Sequence, residues 1–358
     1  MAEHCFVIAE AGVNHNGSLA RALELVDVAA DARADAVKFQ TFKAHKLATA
    51  QAQKADYQVA NMRQAGSQLE MLAKLELSLH DHAELVQRCR ERGIHFMSTA
   101  FDSDSLAHLA TLGMPALKIP SGDINCGPLL LQAARLDMPL IVSTGMCTLA
   151  DIEDALGVIA FGLTQDGTPR GREDLLAAYC SAAGRAALRQ RVSLLHCVTQ
   201  YPAPPDAVNL RAMDTMAAAF GLPVGYSDHT LGIEVALAAV ARGATIIEKH
   251  FTLDRGLPGP DHAASLEPAE LRQMVAGIRT IAQALGAPQK SPAATEMPNR
   301  AVARRSIVAA RPIRQGEVFT ATSFEMKRPG TGLSPLEAWG LVGQRARRDF
   351  DIDELIER

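Results

Sequence analysis

Two histidines stand where a pair of imidazoles could hold a divalent metal ion. His229 lies in the segment YSDHT and His250 in EKHFT, each at the end of a short apolar run. Imidazole nitrogens are common ligands of divalent metals, and adjacent strands would bring both rings to one place. One such histidine would more often belong to a core, but the pair predicts a metal site. Asp261, in PGPDH, could add a carboxylate, although taken alone it fits better as an aspartate that caps a loop.

Two lysines stand inside apolar runs, where an ammonium group needs an anion because an unpaired charge is costly away from water. Lys38 lies in AVKFQ and Lys118 in ALKIP. The simpler interpretation is a structural ion pair with a carboxylate such as Glu248. Hydroxyls at the ends of neighbouring runs favour a site for a small phosphorylated carboxylate instead, because ammonium and hydroxyl groups match phosphate and carboxylate oxygens. These hydroxyls belong to Thr99, Ser121 and Ser143.

Other chemistries fit the same residues. A desolvated lysine could attack a carbonyl group to form a Schiff base, as in one class of aldolases, but the paired histidines argue against that mechanism. A metal-dependent aldolase is compatible with all of them. Glu10, which ends the first run, fits a salt bridge to Lys38 as well as a catalytic role, and His15, in AGVNHNG, fits a loop better than a ligand site. By themselves, the residues predict a lyase or transferase that acts on small phosphate-bearing molecules.

Eight apolar runs carry these polar residues near their ends, and each has the length of a β-strand. They are FVIAEAG (6–12), AVKFQTF (36–42), HFMSTAF (95–101), ALKIPSG (116–122), LIVSTGM (140–146), SLLHCVT (193–199), VGYSDHT (224–230) and TIIEKHFT (245–252). Helical segments such as 18–32, 80–92 and 232–243 lie between them. An open doubly wound sheet would be expected to carry a GxGxxG turn after its first strand, and this sequence has none there. The pattern predicts an α/β fold, a TIM (β/α)8 barrel whose strand ends meet at one mouth.

A second domain is expected after the barrel. A barrel occupies about 250 residues, and this chain has 358. The segment GAPQKSPAATEMPN, rich in Pro and Ala, is typical of a linker, and short β-like pieces broken by Gly and Pro follow it, then a short helix-like tail. We expect a barrel over residues 1–285, a linker over 286–299 and a small β-rich domain over 300–358. That domain is small for independent stability and is expected to rest against a barrel.

Composition excludes several classes of partner. The net charge is −4 and hydrophobic residues make up 48% of the chain, so a sizeable core can form and there is no basic field for nucleic acid. No run of about 18 apolar residues predicts a membrane span, and the start MAEHCFVIAEAG lacks the basic and apolar regions of a secretion signal. The six cysteines are far apart, so they are expected to be reduced. We expect a cytoplasmic protein without nucleic acid or membrane partners.

The ordered motifs resemble those of a known enzyme family. Strings along the barrel are similar, in this order, to motifs of the N-acetylneuraminate (sialic acid) synthase family of bacterial type: AEAGVNHNGS, DAVKFQTF, MSTAFD, LKIPSGDI, IVSTGM, LLHCVTQYPAP, GYSDHT, EKHFT and PGPDH. Two later segments, RRSIVAARPIRQGE and MKRPGTGL, resemble the SAF (antifreeze-like) domain that follows the barrel in that family. The resemblance covers nearly the whole chain, and its motif set is highly specific.

This resemblance implies a reaction, a metal and a set of roles. The reaction would condense phosphoenolpyruvate with N-acetylmannosamine and water to give N-acetylneuraminate and phosphate, with cleavage of the C–O bond of phosphoenolpyruvate. His229 and His250 would hold Mn²⁺ or Mg²⁺, which polarises the sugar aldehyde. The catalytic residues would be Glu10, Lys38 and Lys118. Phosphoenolpyruvate would contact Lys38, Thr99, Lys118, Ser121, Ser143, Thr199 and Ser227. The sugar would contact Gln40, Asp123, Tyr201, Asp261 and Arg328.

The resemblance also bears on assembly and on the sugar. Arg328, in KRPG, matches an SAF arginine that reaches the sugar in a neighbouring subunit, which implies a domain-swapped homodimer. The family often has Glu where Asp123 stands, and Asn or Ser where Thr199 stands, so the sugar is the least determined feature.

Three alternatives to this function stay open. A legionaminic- or pseudaminic-acid synthase would use a 2,4-diacetamido hexose, although KIPSGDI looks less like the pseudaminic branch. A phosphorylated sugar is disfavoured, because GYSDHT follows the bacterial form of the motif. The most distant alternative is an inactive carbohydrate-binding protein, which the intact polar residues of the mouth oppose.

Overall fold

The computed structural model describes residues 4–55, 58–59, 61 and 67–357. Internal contacts divide the chain into two compact units, Met1–Gly286 and Ala287–Arg358. The outermost residues of the predicted domains, 1–3 and 358, lie outside the described residues. Part of the predicted linker is helical, with a 3-10 turn at Ala294–Glu296 and an α-helix at Met297–Ala303.

The first unit is a closed barrel of eight parallel strands, which confirms the predicted fold class. The strands are β1 Phe6–Gly12, β2 Ala36–Thr41, β3 His95–Ala100, β4 Leu117–Ile119, β5 Leu140–Ser143, β6 Val192–Cys197, β7 Val224–Asp228 and β8 Ile246–His250. Each strand pairs with its neighbours in the chain, and β1 pairs with β8 to close the barrel. This closure brings the carboxyl ends of all eight strands to one mouth.

Inward-facing side chains fill the barrel in layers. Buried apolar residues form one layer: Ile8, Ala36, Met97, Ala116, Ile141, Leu195 and Ile246. Because side chains alternate along a strand, the residues two positions further on face the same side. These residues are Glu10, Lys38, Thr99, Lys118, Ser143, Cys197 and Glu248. An apolar plug therefore lies beneath a polar layer at the carboxyl ends of the strands, and Glu10 belongs to that polar layer.

Helices connect the strands, and the main core lies between helices and strands. Several begin at a hydroxyl residue, such as Ser18, Ser78 or Thr148, whose side chain accepts a hydrogen bond from a free N–H of the first turn. The described helices of this unit are α1 Leu19–Asp31, α2 Ala44–Leu47, α3 Gln68–Ala73, α4 Leu79–Arg92, α5 Ser103–Leu109, α6 Gly127–Ala134, α7 Leu149–Thr164, α8 Arg172–Cys180, α9 Ala182–Arg191, α10 Ala212–Phe220, α11 Glu234–Ala241 and α12 Pro268–Leu285. Of the helices described in either unit, none has the length and apolar character needed to cross a membrane.

The second unit has a core of its own. Its elements are α13 Met297–Ala303, β9 Ser306–Ala309, β10 Phe324–Lys327 and α14 Ala338–Leu341, with β9 and β10 antiparallel. The predicted helical tail is wrong beyond Leu341, because the following residues bridge to earlier ones, as Phe350 does to Ile313, and pack into this core. Trp339 lies in α14 but is 78% exposed, unlike the residues of this core.

Candidate active site

A cavity of about 380 Å³ opens at the carboxyl ends of the barrel strands, and each strand contributes at least one side chain to it. The predicted site residues that line it are Glu10, Lys38, Gln40, Thr99, Lys118, Ser121, Ser143, Thr199, Tyr201, Ser227, His229, His250 and Asp261. The mouth of the barrel thus gathers most of the side chains that the sequence singles out. Asp123 and Arg328 are not among the lining residues.

Within the polar layer, two lysines and two carboxylates form a chain of contacts along which negative and positive groups alternate. Lys38 Nζ lies 2.6 Å from a carboxylate oxygen of Glu10 and 3.5 Å from Glu248, and Lys118 Nζ lies 3.6 Å from Glu248. All four side chains are buried. Lys38 also donates to Thr99 Oγ1 at 2.9 Å. The structure is therefore compatible with both interpretations of the lysines. Lys38 and Lys118 each have a carboxylate partner, and each also lines the cavity.

Burial and mutual charge set the protonation of this network. Burial alone would raise the pKa of Glu248, but Lys118, Lys38 and the hydroxyl of Ser227 outweigh it and hold the pKa at about 2. Burial raises the pKa of Glu10 to about 7, with Lys38 opposing the rise and the charge of Glu248 adding to it. Burial also lowers the pKa of Lys118, and Glu248 offsets this only in part. Glu248 is therefore the permanent anion, and Glu10 is the carboxyl group that titrates near neutral pH.

His229 directly follows β7 and His250 ends the neighbouring strand β8, and their ring centroids are 5.5 Å apart. His229 donates from Nδ1 to the carbonyl oxygen of Val198 at 2.6 Å, which leaves Nε2 as the acceptor. Nδ1 of His250 is buried and has no hydrogen-bond partner among the described residues. Burial lowers the pKa of both imidazoles, so both are neutral, which is the form that binds metals.

The two histidines fit a divalent metal that keeps open coordination positions. Within the described part of the chain, no group of three or more His, Cys, Asp or Glu side chains could hold an ion. Water and a ligand would have to complete the coordination shell, as is common where a metal also binds substrate. The ring of Tyr201 packs against His229, with centroids 4.1 Å apart, and limits how that imidazole can turn.

A tight hydroxyl-lined turn follows β5. Ser121 Oγ accepts a hydrogen bond from the backbone N–H of Gly145 at 2.9 Å and lies 3.2 Å from Cys197 Sγ. A Cβ atom on Gly145 would collide with Oγ1 of Thr199 and lie 2.9 Å from Ser121 Oγ. A side chain there would push these groups apart, so the glycine lets the loop bring the hydroxyls close together. Ser143 Oγ is buried without a hydrogen-bond partner among the described residues.

The remaining predicted residues differ in their placement. Asp261 is buried at the edge of the cavity, and burial raises its pKa to about 6. Asp123 ends a 3-10 turn that begins at Ser121, and burial raises its pKa to about 6 as well. Arg328 lies in the second unit, where its Nε donates to the carbonyl oxygen of Ala303 at 3.0 Å. His15 is buried in the loop after β1, where its Nδ1 accepts from the N–H of Gly17.

Besides Pro120, Gly122, Pro260 and two glutamines, two groups of lining residues were absent from the predicted site. One is the pair Cys197 and Glu248. These residues lie two positions before Thr199 and His250 in the chain, so the alternation of side chains along a strand could have identified them. The other is a set of apolar side chains on the loops that follow β1, β2 and β3, which we call the apolar wall: Val13, Leu47, Met71, Leu72, Leu75 and Phe101. Gln58 and Gln68 line the cavity from the same connection after β2.

A fully buried ion pair lies directly behind the two histidines. Lys249 Nζ donates to Asp228 Oδ2 at 2.7 Å and to the carbonyl oxygen of Thr230 at 2.6 Å. Asp228 Oδ1 accepts from the N–H and the hydroxyl of Thr230 at 2.9 and 2.8 Å. Asp228 and Lys249 precede His229 and His250 in the chain, and they are paired across β7 and β8. The ion pair therefore ties together the two strand ends that carry the imidazoles.

The two units resemble known domain families. Residues 25–290 match the NeuB family, and residues 304–357 match the SAF domain. The N,N'-diacetyllegionaminic acid synthase of Campylobacter jejuni is 45% identical over 350 residues, which cover 98% of this chain and 98% of that protein. The enzyme of the same name from Legionella pneumophila is 46% identical over 341 residues, which cover 95% of this chain and 90% of that protein.

A solved structure is similar as well. The N-acetylneuraminic acid (sialic acid) synthetase of Leptospira borgpetersenii, crystallised in complex with citrate, aligns with a TM-score of 0.67 at 33% sequence identity. The alignment covers 83% of this chain and 90% of that chain. Sequence identity therefore rises from 33% with the sialic acid synthetase to 45% and 46% with the two legionaminic acid synthases.

Proposed function

Because the chain belongs to the NeuB family, as its ordered motifs predict, we propose that it joins phosphoenolpyruvate to an N-acetylated amino sugar and releases phosphate. The observation that carries this proposal is the buried network in which Lys38 and Lys118 alternate with two carboxylates beneath two neutral imidazoles. Such a site can hold a phosphorylated carboxylate beside a sugar aldehyde, because its ammonium and imidazole groups complement phosphate and carbonyl oxygens.

The better-supported sugar is a 2,4-diacetamido hexose, and the product would then be an acid of the N,N'-diacetyllegionaminic type. The relatives of that name are more similar to this chain than the sialic acid synthetase is. The motifs alone put N-acetylmannosamine first and the diacetamido sugar second, and the relatives favour the reverse order. N-acetylmannosamine is therefore the second candidate.

Lysines and hydroxyls would bind phosphoenolpyruvate. Glu248 neutralises Lys118 and shares Lys38 with Glu10. The anionic ligand would therefore replace these carboxylates as the partner of the two ammonium groups. Ser143 Oγ, which lacks a partner among the described residues, would supply a further donor. The proposed set is Lys38, Thr99, Lys118, Ser121, Ser143, Thr199 and Ser227. The sugar would contact Gln40, Asp123, Tyr201 and Asp261.

His229 and His250 would hold the divalent metal, Mn²⁺ or Mg²⁺. When bound, the metal supplies Lewis-acid polarisation of the aldehyde carbonyl. The protein prepares both ligands, because burial keeps the imidazoles uncharged and the carbonyl of Val198 fixes the tautomer of His229.

The proposed reaction forms one C–C bond and breaks one C–O bond. C3 of phosphoenolpyruvate attacks the aldehyde carbon, which leaves positive charge at C2 and an alkoxide that takes up a proton. Water adds to C2 and loses a proton, and the tetrahedral centre then expels phosphate while its new hydroxyl loses the second proton to leave a keto group. Glu10, with a pKa of about 7, can accept and return these protons near neutral pH. Lys38 and Lys118 would stabilise the charge that develops on the phosphate.

Phosphate release tests this proposal. Metal-stripped protein is mixed with phosphoenolpyruvate and either sugar, before and after Mn²⁺ is added back. We expect metal-dependent release, faster with the 2,4-diacetamido hexose, and ¹⁸O in the bridging position of phosphoenolpyruvate should leave with the phosphate. A folded Lys118→Met variant is the control and should release none. Absence of release with both sugars would contradict the proposal.

The second unit would complete the site of another subunit. Arg328 matches the SAF arginine that the resemblance assigns to the sugar of a neighbouring barrel, and residues 304–357 match the SAF domain. A domain-swapped homodimer is proposed on this basis.

A further inference from the structure

The cavity has two chemically different surfaces. The polar layer supplies lysines, carboxylates and hydroxyls, whereas the apolar wall supplies six aliphatic or aromatic side chains on the loops beyond β1, β2 and β3. The mechanism proposed above uses the polar layer and the histidines, and it assigns no role to the apolar wall. A surface of this size beside a reacting centre must nevertheless contact a bound substrate or exclude water from it.

The apolar wall is backed by a packed cluster. Val13, Met71 and Leu75 are 4%, 4% and 6% exposed and pack together with Phe42. Leu47, Leu72 and Phe101 pack against this cluster and remain half-buried, so part of their surface is open to the cavity. A wall with this backing keeps its shape when a ligand arrives, which is a requirement for discrimination between similar substrates.

The proposed reaction determines which part of the sugar meets the apolar wall, and the inference therefore rests on the proposed function. The aldehyde carbon must reach C3 of phosphoenolpyruvate, whose charged groups need Lys38 and Lys118 in the polar layer. The distal carbons of the sugar, from C4 to C6, would then extend away from the strand ends toward the loops, where the apolar wall forms one side of the cavity. Leu47 and Leu72 lie on those loops, in α2 and α3.

A sugar end that contacts aliphatic side chains gains from apolar substituents and loses from free hydroxyls. A hydroxyl that faces these aliphatic side chains would give up hydrogen bonds to water, and the side chains themselves offer no replacement. The methyl group of an acetamido substituent, or a deoxy carbon, would instead bury apolar area. Gln58 and Gln68 stand beside the apolar wall, and an amide side chain can both donate to and accept from the amide of such a substituent.

We propose that the apolar wall is the specificity-determining surface of this enzyme and that it selects an uncharged sugar whose distal carbons carry acyl or deoxy groups in place of hydroxyls. Selection depends most on Leu47, Leu72 and Phe101, because these three are half-buried and line the cavity directly, and the two leucines come from the same connection after β2. Phosphoenolpyruvate would bind the lysines of the polar layer, so its binding should be independent of the two leucines.

Variants of the two leucines test the proposal in the presence of saturating phosphoenolpyruvate and metal. Leu72→Gln and Leu47→Gln should lower the ratio of kcat/KM for the 2,4-diacetamido hexose to that for N-acetylmannosamine by about tenfold, with the KM for phosphoenolpyruvate unchanged. The matched control is Ala73→Gln, one position further along α3 on an exposed residue, which should leave the ratio unchanged. Unchanged ratios in both leucine variants would overturn the proposal.

A second measurement uses the wild-type enzyme, so it does not depend on whether a variant folds. N-acetylmannosamine and its 6-deoxy analogue differ only in one distal hydroxyl, and the deoxy analogue should have the higher kcat/KM. Equal values, or a preference for the hydroxyl, would overturn the proposal while phosphate release itself would still support the synthase. Failure of every sugar to release phosphate would instead overturn the proposed function and this inference together.

Discussion

Within the polar layer, Glu10 is the carboxyl group whose charge changes near pH 7. It shares Lys38 with Glu248, and two buried carboxylates beside one ammonium group cannot ionise equally well. Glu248 keeps the negative charge because it also contacts Lys118 and accepts from Ser227 at 2.9 Å. The uneven environment gives the two carboxyl groups separate tasks, one as a fixed anion and one as a proton carrier.

Replacing Glu10 by Gln should therefore remove the pH dependence of kcat/KM near pH 7. The carboxylate form of Glu10 increases as the pH rises through about 7, so the wild-type kcat/KM should rise over that range. Glu10→Gln should lower kcat by roughly 10²–10⁴ and flatten the profile. The measurement is the pH profile of phosphate release, with Glu24→Gln on the exposed face of α1 as a control that keeps the wild-type curve. A variant that retained the rise near pH 7 would contradict the role given to Glu10.

Glu248 should matter for stability as well as for binding. Glu248→Gln leaves two buried lysines without their shared anion and should lower the free energy of unfolding at pH 7 by about 3–5 kcal/mol. Phosphoenolpyruvate brings negative charge to the same place, so it should stabilise the variant more than the wild type. Urea unfolding with and without phosphoenolpyruvate measures both effects.

Two checks accompany the Glu248 experiment. Ser227→Ala removes one hydrogen bond to the same carboxylate and should cost only about 0.5–1.5 kcal/mol. Because the folded pKa of Glu248 is lowered to about 2 from an ordinary value of 4.5, its stabilising effect is present above pH 4.5 and is lost as the pH falls toward 2. The difference between variant and wild type should therefore shrink in acid, and a constant difference would count against an ionised Glu248.

The barrel strands are the elements that the sequence predicts best, because each apolar run between turns has one simple explanation. β1 is found where it was expected, at Phe6–Gly12, whereas β4 covers only Leu117–Ile119 of the predicted 116–122. Pro120 explains the early end, since proline has no N–H to give to a neighbouring strand.

The apolar wall could not be predicted in the same way. Most of it comes from the long connection after β2, where Leu47, Met71, Leu72 and Leu75 follow no strand or barrel periodicity. Apolar residues in such a segment are ordinary core candidates, and only the fold shows that several of them border the cavity. The polar residues were easier to find because a charge inside an apolar run needs an explanation by itself.

At the level of elements, the ion pair between β7 and β8 should control metal binding. Lys249→Met alone leaves a buried aspartate and should destabilise the fold by about 3–5 kcal/mol. The double variant Asp228→Asn and Lys249→Met removes both charges and should recover most of that stability. It should still bind Mn²⁺ about 10–100-fold more weakly, because the strand ends that carry the imidazoles are no longer tied.

Titration of Mn²⁺ by electron paramagnetic resonance, alongside urea unfolding, separates the two effects. The matched control is Asp35→Asn with Arg279→Met, a pair 2.7 Å apart at the amino end of β2. This control should change stability but not metal affinity. Wild-type affinity in the Asp228 and Lys249 double variant would show that the ion pair is only structural.

At the scale of the whole molecule, the division at Gly286 makes subunit exchange testable. Lys38→Met inactivates a barrel, and Arg328→Ala removes the side chain that a second unit would contribute. Each variant alone should be inactive, but co-expression should restore about a quarter of the wild-type activity if a second unit serves the barrel of its partner in a symmetric dimer. The restored activity is measured as phosphate release per mole of purified dimer. No recovery in verified mixed dimers would contradict the domain swap.

The single tryptophan of the chain, Trp339, has a practical consequence for such experiments. It lies on the second unit and is 78% exposed, so the barrel contributes no tryptophan emission. Excitation at wavelengths that tyrosine does not absorb therefore illuminates the second unit alone. A blue shift or protection from a quencher, seen as protein concentration or substrate is raised, would report the moment at which that unit becomes covered, without any attached dye.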